Sequence, residues 1–292
     1  MTWELSLAGL LIGALVGTTG MGGGSLMTPL LVLVFGFKPT VAIGTDVLHG
    51  AIFKSFGAVR HRQLGTVHAR LTLWMLLGSA PTSLLGVALA TWLKHRYGDG
   101  FEDAAAHILG GALILGGVGF ALKTFVQGRE KSDAPFLLTR SDKLTAVLIG
   151  LSGGFIVGLT SVGSGTFFGL LMLLLFPLTA VKMVGTDIFH AAALLWVAGI
   201  GHLVAGNVDL GATAWLLLGS VPGVLLGSQV SVKLPDRALR IALATTLTLS
   251  GVKLLDLPRS GVVIGLVLAG GLVALALTEG RRFAARPALE RR

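Results

Sequence analysis

The sequence predicts an all-α, polytopic membrane bundle of two inverted-topology repeats. Each repeat is a broken, re-entrant Gly-rich hairpin followed by three spans, and one extra span follows at the C-terminal end. Three observations predict this. The chain of 292 residues is 53% hydrophobic and only 13% charged, with mean hydropathy +0.84, whereas a soluble domain carries about a quarter charged residues. Apolar runs long enough to cross ~30 Å of hydrocarbon recur along it, and helices satisfy their own backbone there. Finally, Gly44-Thr45-Asp46-Val47-Leu48-His49 returns as Gly185-Thr186-Asp187-Ile188-Phe189-His190, an offset of 141 (187 minus 46).

The same offset, without a gap, pairs Gly17 with Gly158, Gly22 with Gly163, Gly24 with Gly165 and Ser25 with Thr166. It also pairs His61 with His202, Trp74 with Trp215, Pro81 with Pro222 and Gly86 with Gly227. One register held from Gly17 to Gly86 is a tandem duplication. The organisation expected is repeat 1 over residues 1–122, a polar cytoplasmic linker over 123–143, repeat 2 over 144–256, and an extra span with a basic cytoplasmic tail over 257–292.

The first element, residues 5–37, is apolar but interrupted by Thr18-Thr19-Gly20-Met21-Gly22-Gly23-Gly24-Ser25. Its arms, about 5–16 and 26–36, are each too short to span alone at 1.5 Å per residue. Spans follow near 40–59, 67–93 and 104–122. The linker carries Lys123, Arg129, Lys131, Arg140 and Lys143. A second broken element, 144–177, turns at Ser161-Val162-Gly163-Ser164-Gly165-Thr166, before spans near 181–203, 211–233 and 237–256. The unpaired span, about 261–278, leads to Arg281, Arg282, Arg286, Arg291 and Arg292.

Basic residues orient the bundle. If the broken elements are re-entrant, Arg60-His61-Arg62, the linker and the C-terminal arginines share the cytoplasmic side. The stretch matching the Arg60 loop, Gly201 to Asn207, lies outside and has no Lys or Arg. Four full crossings per repeat would instead put the arginine tail outside, against the positive-inside bias. Lys94 and Arg96 fall outside under the inverted reading and count against it. The chain is thus expected as a multi-pass protein of the cell (inner) membrane with its C-terminus in the cytoplasm. Glu4 and the lack of a basic n-region do not read as a cleaved signal peptide. The +9 charge reflects orientation, so no nucleic-acid partner is expected.

With no cysteine, disulfides, thiolate metal sites and Cys nucleophiles are excluded. Asp46 and His49, three residues apart, share a helix face, as do Asp187 and His190. Ionisable groups at membrane depth are costly and face a cavity or each other. They read either as a proton relay or, for Asp and the adjacent Thr45 and Thr186, as helix caps. Both readings stand for the aspartates, while the histidines favour the functional one. Lys54 could neutralise an anion, but it lies within snorkelling reach of the Arg60 end, and snorkelling is the expectation. Trp74 and Trp215 read as interfacial anchors.

The Gly-rich tips are the stronger anion site. A broken helix leaves free N–H groups and a positive dipole end, and glycine lets an anion approach the backbone. The expected binding residues are Thr19, Gly20, Gly22, Gly23, Gly24 and Ser25, with Ser161, Gly163, Ser164, Gly165 and Thr166. Inverted repeats with broken helices are how many secondary transporters are built. The competing readings are a divalent-metal or proton pathway through the Asp/His pairs, and an intramembrane hydrolase using Ser164 with His190 as base. The hydrolase lacks duplication, since Gly23 occupies the position matching Ser164.

The paired tips, the two G-T-D-x-x-H copies and the steps Gly78-Ser79-Ala80-Pro81 and Gly219-Ser220-Val221-Pro222 resemble the sulfite exporter TauE/SafE family of membrane permeases. The resemblance covers nearly the whole chain. It implies transport of small sulfur-containing anions such as sulfite or organosulfonates, outward in direction by rocking of the repeats, and no enzymatic activity. The expected partners are a small anionic solute and the lipid bilayer. No cofactor and no metal are expected, and the oligomeric state stays open, a homodimer among the options.

Overall fold

The computed structural model describes residues 2–19, 23–125, 137–163, 165–230, 236–256, 261 and 264–271. These form ten helices in repeat order. The first repeat holds α1 (Thr2–Thr19), α2 (Gly23–Leu33), α3 (Pro39–Gln63), α4 (Ala69–Tyr97) and α5 (Asp99–Phe125). The second holds α6 (Arg140–Thr160), α7 (Phe167–Leu175), α8 (Ala180–Val204), α9 (Leu210–Val230) and α10 (Asp236–Leu254). A further helical segment lies at 264–271. The expected span over 261–278 is described only in that part, and the arginine tail lies outside the described residues.

Among the described residues, four helical stretches are apolar and long enough to cross a membrane: Ala69–Tyr97, Asp99–Gly119, Arg140–Thr160 and Lys182–Val204. The protein is a helical membrane protein. One expectation needs correction. The arms of the broken elements are not two equal runs of about twelve residues: α1 has 18 and α2 has 11, while α6 has 21 and α7 has 9. In the second repeat the cause is local. Thr139 Oγ1 accepts from the Asp142 backbone N–H, and Asp142 returns a bond to the Thr139 N–H, a capping box that starts α6 before residue 144.

Each repeat packs mainly on the other. The most extensive interfaces are α1 on α9, α4 on α6, α3 on α8 and α5 on α10. Shifting one repeat by 141 exchanges the first two and returns each of the others to itself. Small residues let these backbones meet. A side chain on Gly78 would overlap the Val147 carbonyl, on Gly154 the Ser79 backbone, and on Gly158 the Ser83 backbone. Gly9, Gly13, Gly219 and Gly223 play the matching part between α1 and α9. Without a hydrophobic drive between helices in lipid, such close van der Waals contact supplies the association energy.

The same contacts give helix directions. Gly78 meets Val147, Gly154 meets Ser79 and Gly158 meets Ser83, so α4 and α6 run parallel. Gly50 meets Leu195 and Gly57 meets Ile188, so α3 and α8 run antiparallel. Gly110 meets Gly251 and Gly117 meets Ala244, so α5 and α10 are antiparallel as well.

The depth of the second bend follows. Gly158, two residues before the end of α6, lies against Ser83. From there α4 continues to Tyr97, 14 residues (97 minus 83) or about 21 Å further. The bend therefore stops beside the middle of α4. At the opposite end of α4, the loop residue Lys38 pairs with Asp99 at 2.8 Å, and that carboxylate, by hydrogen bond and by charge, holds the ammonium above its ordinary range.

Gly154→Leu should destabilise the purified protein by about 1–3 kcal/mol through overpacking of α4 on α6. Gly111→Ala, where an added methyl meets nothing within 4 Å, should be neutral or stabilise by up to about 1 kcal/mol. Thermal unfolding in detergent checks both.

Candidate functional site

The second bend has a fixed backbone shape. Ser161 ends α6 in the left-handed region at φ 63°, ψ −13°, with its N–H bonded to the Val157 carbonyl. Gly163 at φ +139° and Gly165 at φ +85° complete the turn, conformations that favour glycine. Ser161 and Thr166 are buried to 1% and 2% exposure. Of the predicted site residues, Ser164 lies outside the described residues. So do Gly20 and Gly22 of the first tip. Thr19 closes α1, and Gly23, Gly24 and Ser25 open α2.

The bend of repeat 2 closes on the aspartate of repeat 1. Asp46 Oδ2 accepts from Ser161 Oγ at 2.8 Å and from Thr28 Oγ1 of α2. This is more than a cap: the carboxylate sits eight residues inside α3 (46 minus 38) from its N-cap, Lys38. That N-cap residue makes no capping side-chain bond. The helix-cap reading of Asp46 is therefore set aside. Its other oxygen, Oδ1, is buried without a hydrogen-bond partner among the described residues. At the 141 offset the residues matching Thr28 and Ser161 are glycines, Gly169 in repeat 2 and Gly20 in repeat 1. The arrangement around Asp187, buried at 3% exposure, is thus not a copy of that around Asp46.

The histidines, by contrast, are duplicated in detail. His49 Nε2 lies 2.8 Å from Ser220 Oγ, and His190 Nε2 lies 3.0 Å from Ser79 Oγ. All four side chains are fully buried. Each bond joins a G-T-D-x-x-H helix of one repeat to the G-S-x-P helix of the other. His49 packs on Phe53, ring centroids 4.8 Å apart, and His190 packs edge-on against Phe168 of α7 at 4.4 Å. Both Nδ1 atoms, and Thr166 Oγ1 at the bend, are buried without a partner among the described residues. A buried unpaired polar atom costs about 1–3 kcal/mol, so four in one region call for an explanation beyond packing.

Thr45 and Thr186 have a different task. Thr45 Oγ1 accepts from the Asp209 N–H at 2.9 Å, and Thr186 Oγ1 accepts from the His68 N–H at 2.9 Å. These bonds again cross between repeats and fasten the starts of α9 and α4. Lys54 departs from expectation. It is 5% exposed, so it does not snorkel to the Arg60 end. The helix crossing holds it inside the bundle, where its ammonium interacts by charge with Asp187 and Asp46. Among the described residues, no three His, Asp or Glu side chains gather in a metal-holding group.

Sequence reasoning missed Thr28, Ser79 and Ser220 as members of the site. The two serines were readable, since they obey the 141 offset and sit two residues before the duplicated prolines. Thr28 carries no such signal. Toward the Lys38 end, a small crevice of ≈ 10 Å³ is lined by Thr40, Phe101, Leu159 and His202 among others. Leu159 links it to the bend. Lys94, set outside by the inverted reading, donates to Asn207 at 3.0 Å at this end.

The family model described as sulfite exporter TauE/SafE matches residues 5–254. The chain belongs to the sulfite exporter TauE/SafE family. Curated relatives agree on the broad role. Probable membrane transporter protein YjnA of Bacillus subtilis (strain 168) is 39% identical over 256 residues, covering 87% of this chain and 100% of that protein. Probable membrane transporter protein YdhB of the same organism is 25% identical over 245 residues, covering 84% and 96%. Probable membrane transporter protein ORF9 of Sinorhizobium sp is 31% identical over 218 residues, covering 72% and 74%. No solved structure matches the chain. As a TauE/SafE protein it is a multi-pass membrane transporter, and its buried Asp, His and Ser groups are read below in that role.

Ser79→Ala and Ser220→Ala should each cost about 1–3 kcal/mol, because an imidazole nitrogen then loses its partner inside the bundle. The double change Ser220→Ala with His49→Phe should recover part of that loss in thermal unfolding.

Proposed function

We propose that this TauE/SafE protein is a secondary transporter that exports small sulfur-containing anions, such as sulfite or organosulfonates, by alternating access of two inverted repeats. Proton movement through Asp46, His49, Asp187 and His190 drives the cycle. One observation carries the reading: four buried polar atoms without a hydrogen-bond partner among the described residues, Asp46 Oδ1, His49 Nδ1, His190 Nδ1 and Thr166 Oγ1, come from both repeats, and Asp46, His49 and His190 each bond across to the other repeat.

Inversion is supported by helix direction. Equivalent helices run antiparallel in both pairs that touch, α3 with α8 and α5 with α10. An axis lying in the membrane plane requires this, whereas an axis along the membrane normal would make them parallel. The half-depth position of the Ser161 bend supports re-entrance. Gly163, Gly165 and Thr166 then offer approachable backbone and a hydroxyl to an anion, while the Ser161 hydroxyl is committed to Asp46. The first tip, Thr19 to Ser25, takes the equivalent part. The two domains are residues 1–122 and 144–256, which rock about their shared α3–α8 contact. The C-terminal tail lies in the cytoplasm of a cell-membrane protein.

The metal pathway is not favoured, because its ligands would have to gather. The hydrolase reading is not favoured either, since His190 Nε2 faces the fully buried Ser79.

Because the chain has no cysteine, topology is testable by single introduced thiols. Leu64→Cys should react from the cytoplasmic side and Leu210→Cys from outside; labelling of both from one side would defeat inversion. In vesicles, the purified protein should move sulfite or an organosulfonate such as isethionate, and faster under a proton gradient. Asp187→Asn should retain flux but lose its dependence on that gradient. Metal-ion flux with no movement of sulfur anions would reverse the assignment.

A further inference from the structure

The aspartates and histidines of the site come in pairs, but the cation among them does not. Lys54 stands one and a half turns beyond His49 on α3, and its counterpart in repeat 2 is Leu195. Both are buried, at 5% and 1% exposure. A lysine keeps its charge inside the membrane only where it faces a partner or a polar cavity.

The α3–α8 crossing places Lys54 at the junction of the repeats. Gly50 meets Leu195 at 3.0 Å and Gly57 meets Ile188 at 3.3 Å, so residue 54 lies on α3 between these two contacts. Asp187 neighbours Ile188 and is therefore only about four residues of rise, roughly 6 Å, along the axis from Lys54. Asp46 lies on the opposite side, eight residues or about 12 Å away on the same helix. The ammonium interacts by charge with both, more strongly with Asp187. His49 also feels its charge. Two carboxylates thus share one cation, which a protein with strict twofold symmetry could not arrange.

We propose that Lys54 is the counter-charge for the transported anion, which takes the ammonium from Asp187 and Asp46 in order to bind. This rests on the anion-transport reading and adds to it the substrate's charge class and the residue that sets it. An ammonium is a compact point charge with three donors and no acceptor, well matched to the oxygen face of a sulfonate or bisulfite group. One positive charge balances one negative charge. A singly charged oxyanion fits, while a dianion such as sulfate leaves an unbalanced charge in a low-dielectric site. The aspartates occupy Lys54 when the anion is absent, so that the buried ammonium is never left alone. The Thr166 hydroxyl and the backbone of the Ser161 bend orient the oxygens; Lys54 supplies the charge.

The test uses the full-length protein in vesicles, with isethionate as a monoanionic sulfonate and sulfate as a dianion. Wild-type protein should move isethionate well and sulfate poorly. Failure to move any sulfur oxyanion would remove the transport reading itself, irrespective of Lys54. Given wild-type flux, Lys54→Met should weaken isethionate transport by roughly 100-fold, the scale for losing one member of a buried charge pair. Lys54→Arg should retain part of it. Since Lys54→Met leaves two aspartates without their cation and folding can suffer, the double variant Lys54→Met/Asp187→Asn separates the effects. It should unfold near the wild-type temperature yet remain unable to carry isethionate. Asp187→Asn alone should lower the apparent KM for isethionate by roughly tenfold, because one competitor for the ammonium is gone. A folded Lys54→Met or double variant with wild-type KM would overturn the proposal, as would an unchanged or raised KM in Asp187→Asn.

Discussion

The architecture depends on one constraint: several buried polar groups of each repeat find their partners in the other. In lipid no water is present to take up a lone hydroxyl or imidazole, and an unpaired group costs several kcal/mol. Here the partners are exchanged. His49 bonds Ser220, His190 bonds Ser79, Thr45 receives the Asp209 N–H, and Thr186 receives the His68 N–H. Each of these four bonds crosses between repeats, and they form two pairs related by the 141-residue offset. The exchange makes the interface obligatory and places the polar centre where the two units touch.

Close packing makes the exchange geometrically available. A serine hydroxyl on α4 reaches an imidazole on α8 only if the helix backbones approach closely. The glycines of α4 and α6, and of α1 and α9, seat α4 and α9 closely on those neighbours. Where the second repeat's bend ends against Ser83, Gly158 also lends its carbonyl to His202 Nε2 at 2.9 Å. The small residues are thus part of the polar network, since any side chain there would push the partners apart.

Departures from symmetry are as informative as the symmetry. Thr28 and Ser161 hold Asp46, and the positions matching them are glycines. Lys54 matches Leu195. A strictly symmetric pair would cycle between two equivalent states with no preferred direction of charge. Fixing one aspartate by hydroxyls and placing one cation nearer the other gives the two halves different work. In a transporter, which must distinguish the two sides of a membrane, such inequality is a physical requirement that duplication alone would not meet.

Much of this was determined by sequence. Hydropathy gave the membrane bundle, because apolar length has one use at this charge content. The 141-residue register gave the repeats, and the Gly-rich interruptions gave the bend over Ser161–Thr166, because only glycine takes positive φ without strain. Helix ends were less legible: the capping box Thr139–Asp142 moved the start of α6 ahead of its apolar run. Only the tertiary structure decided who partners whom. Nothing in local sequence says that His49 meets Ser220 rather than a neighbouring carbonyl, since the two lie 171 residues apart. The fate of Lys54 was likewise undecided by sequence. Snorkelling and burial make the same demand on helix position, and only the α3–α8 crossing, which closes over the side chain, chose between them.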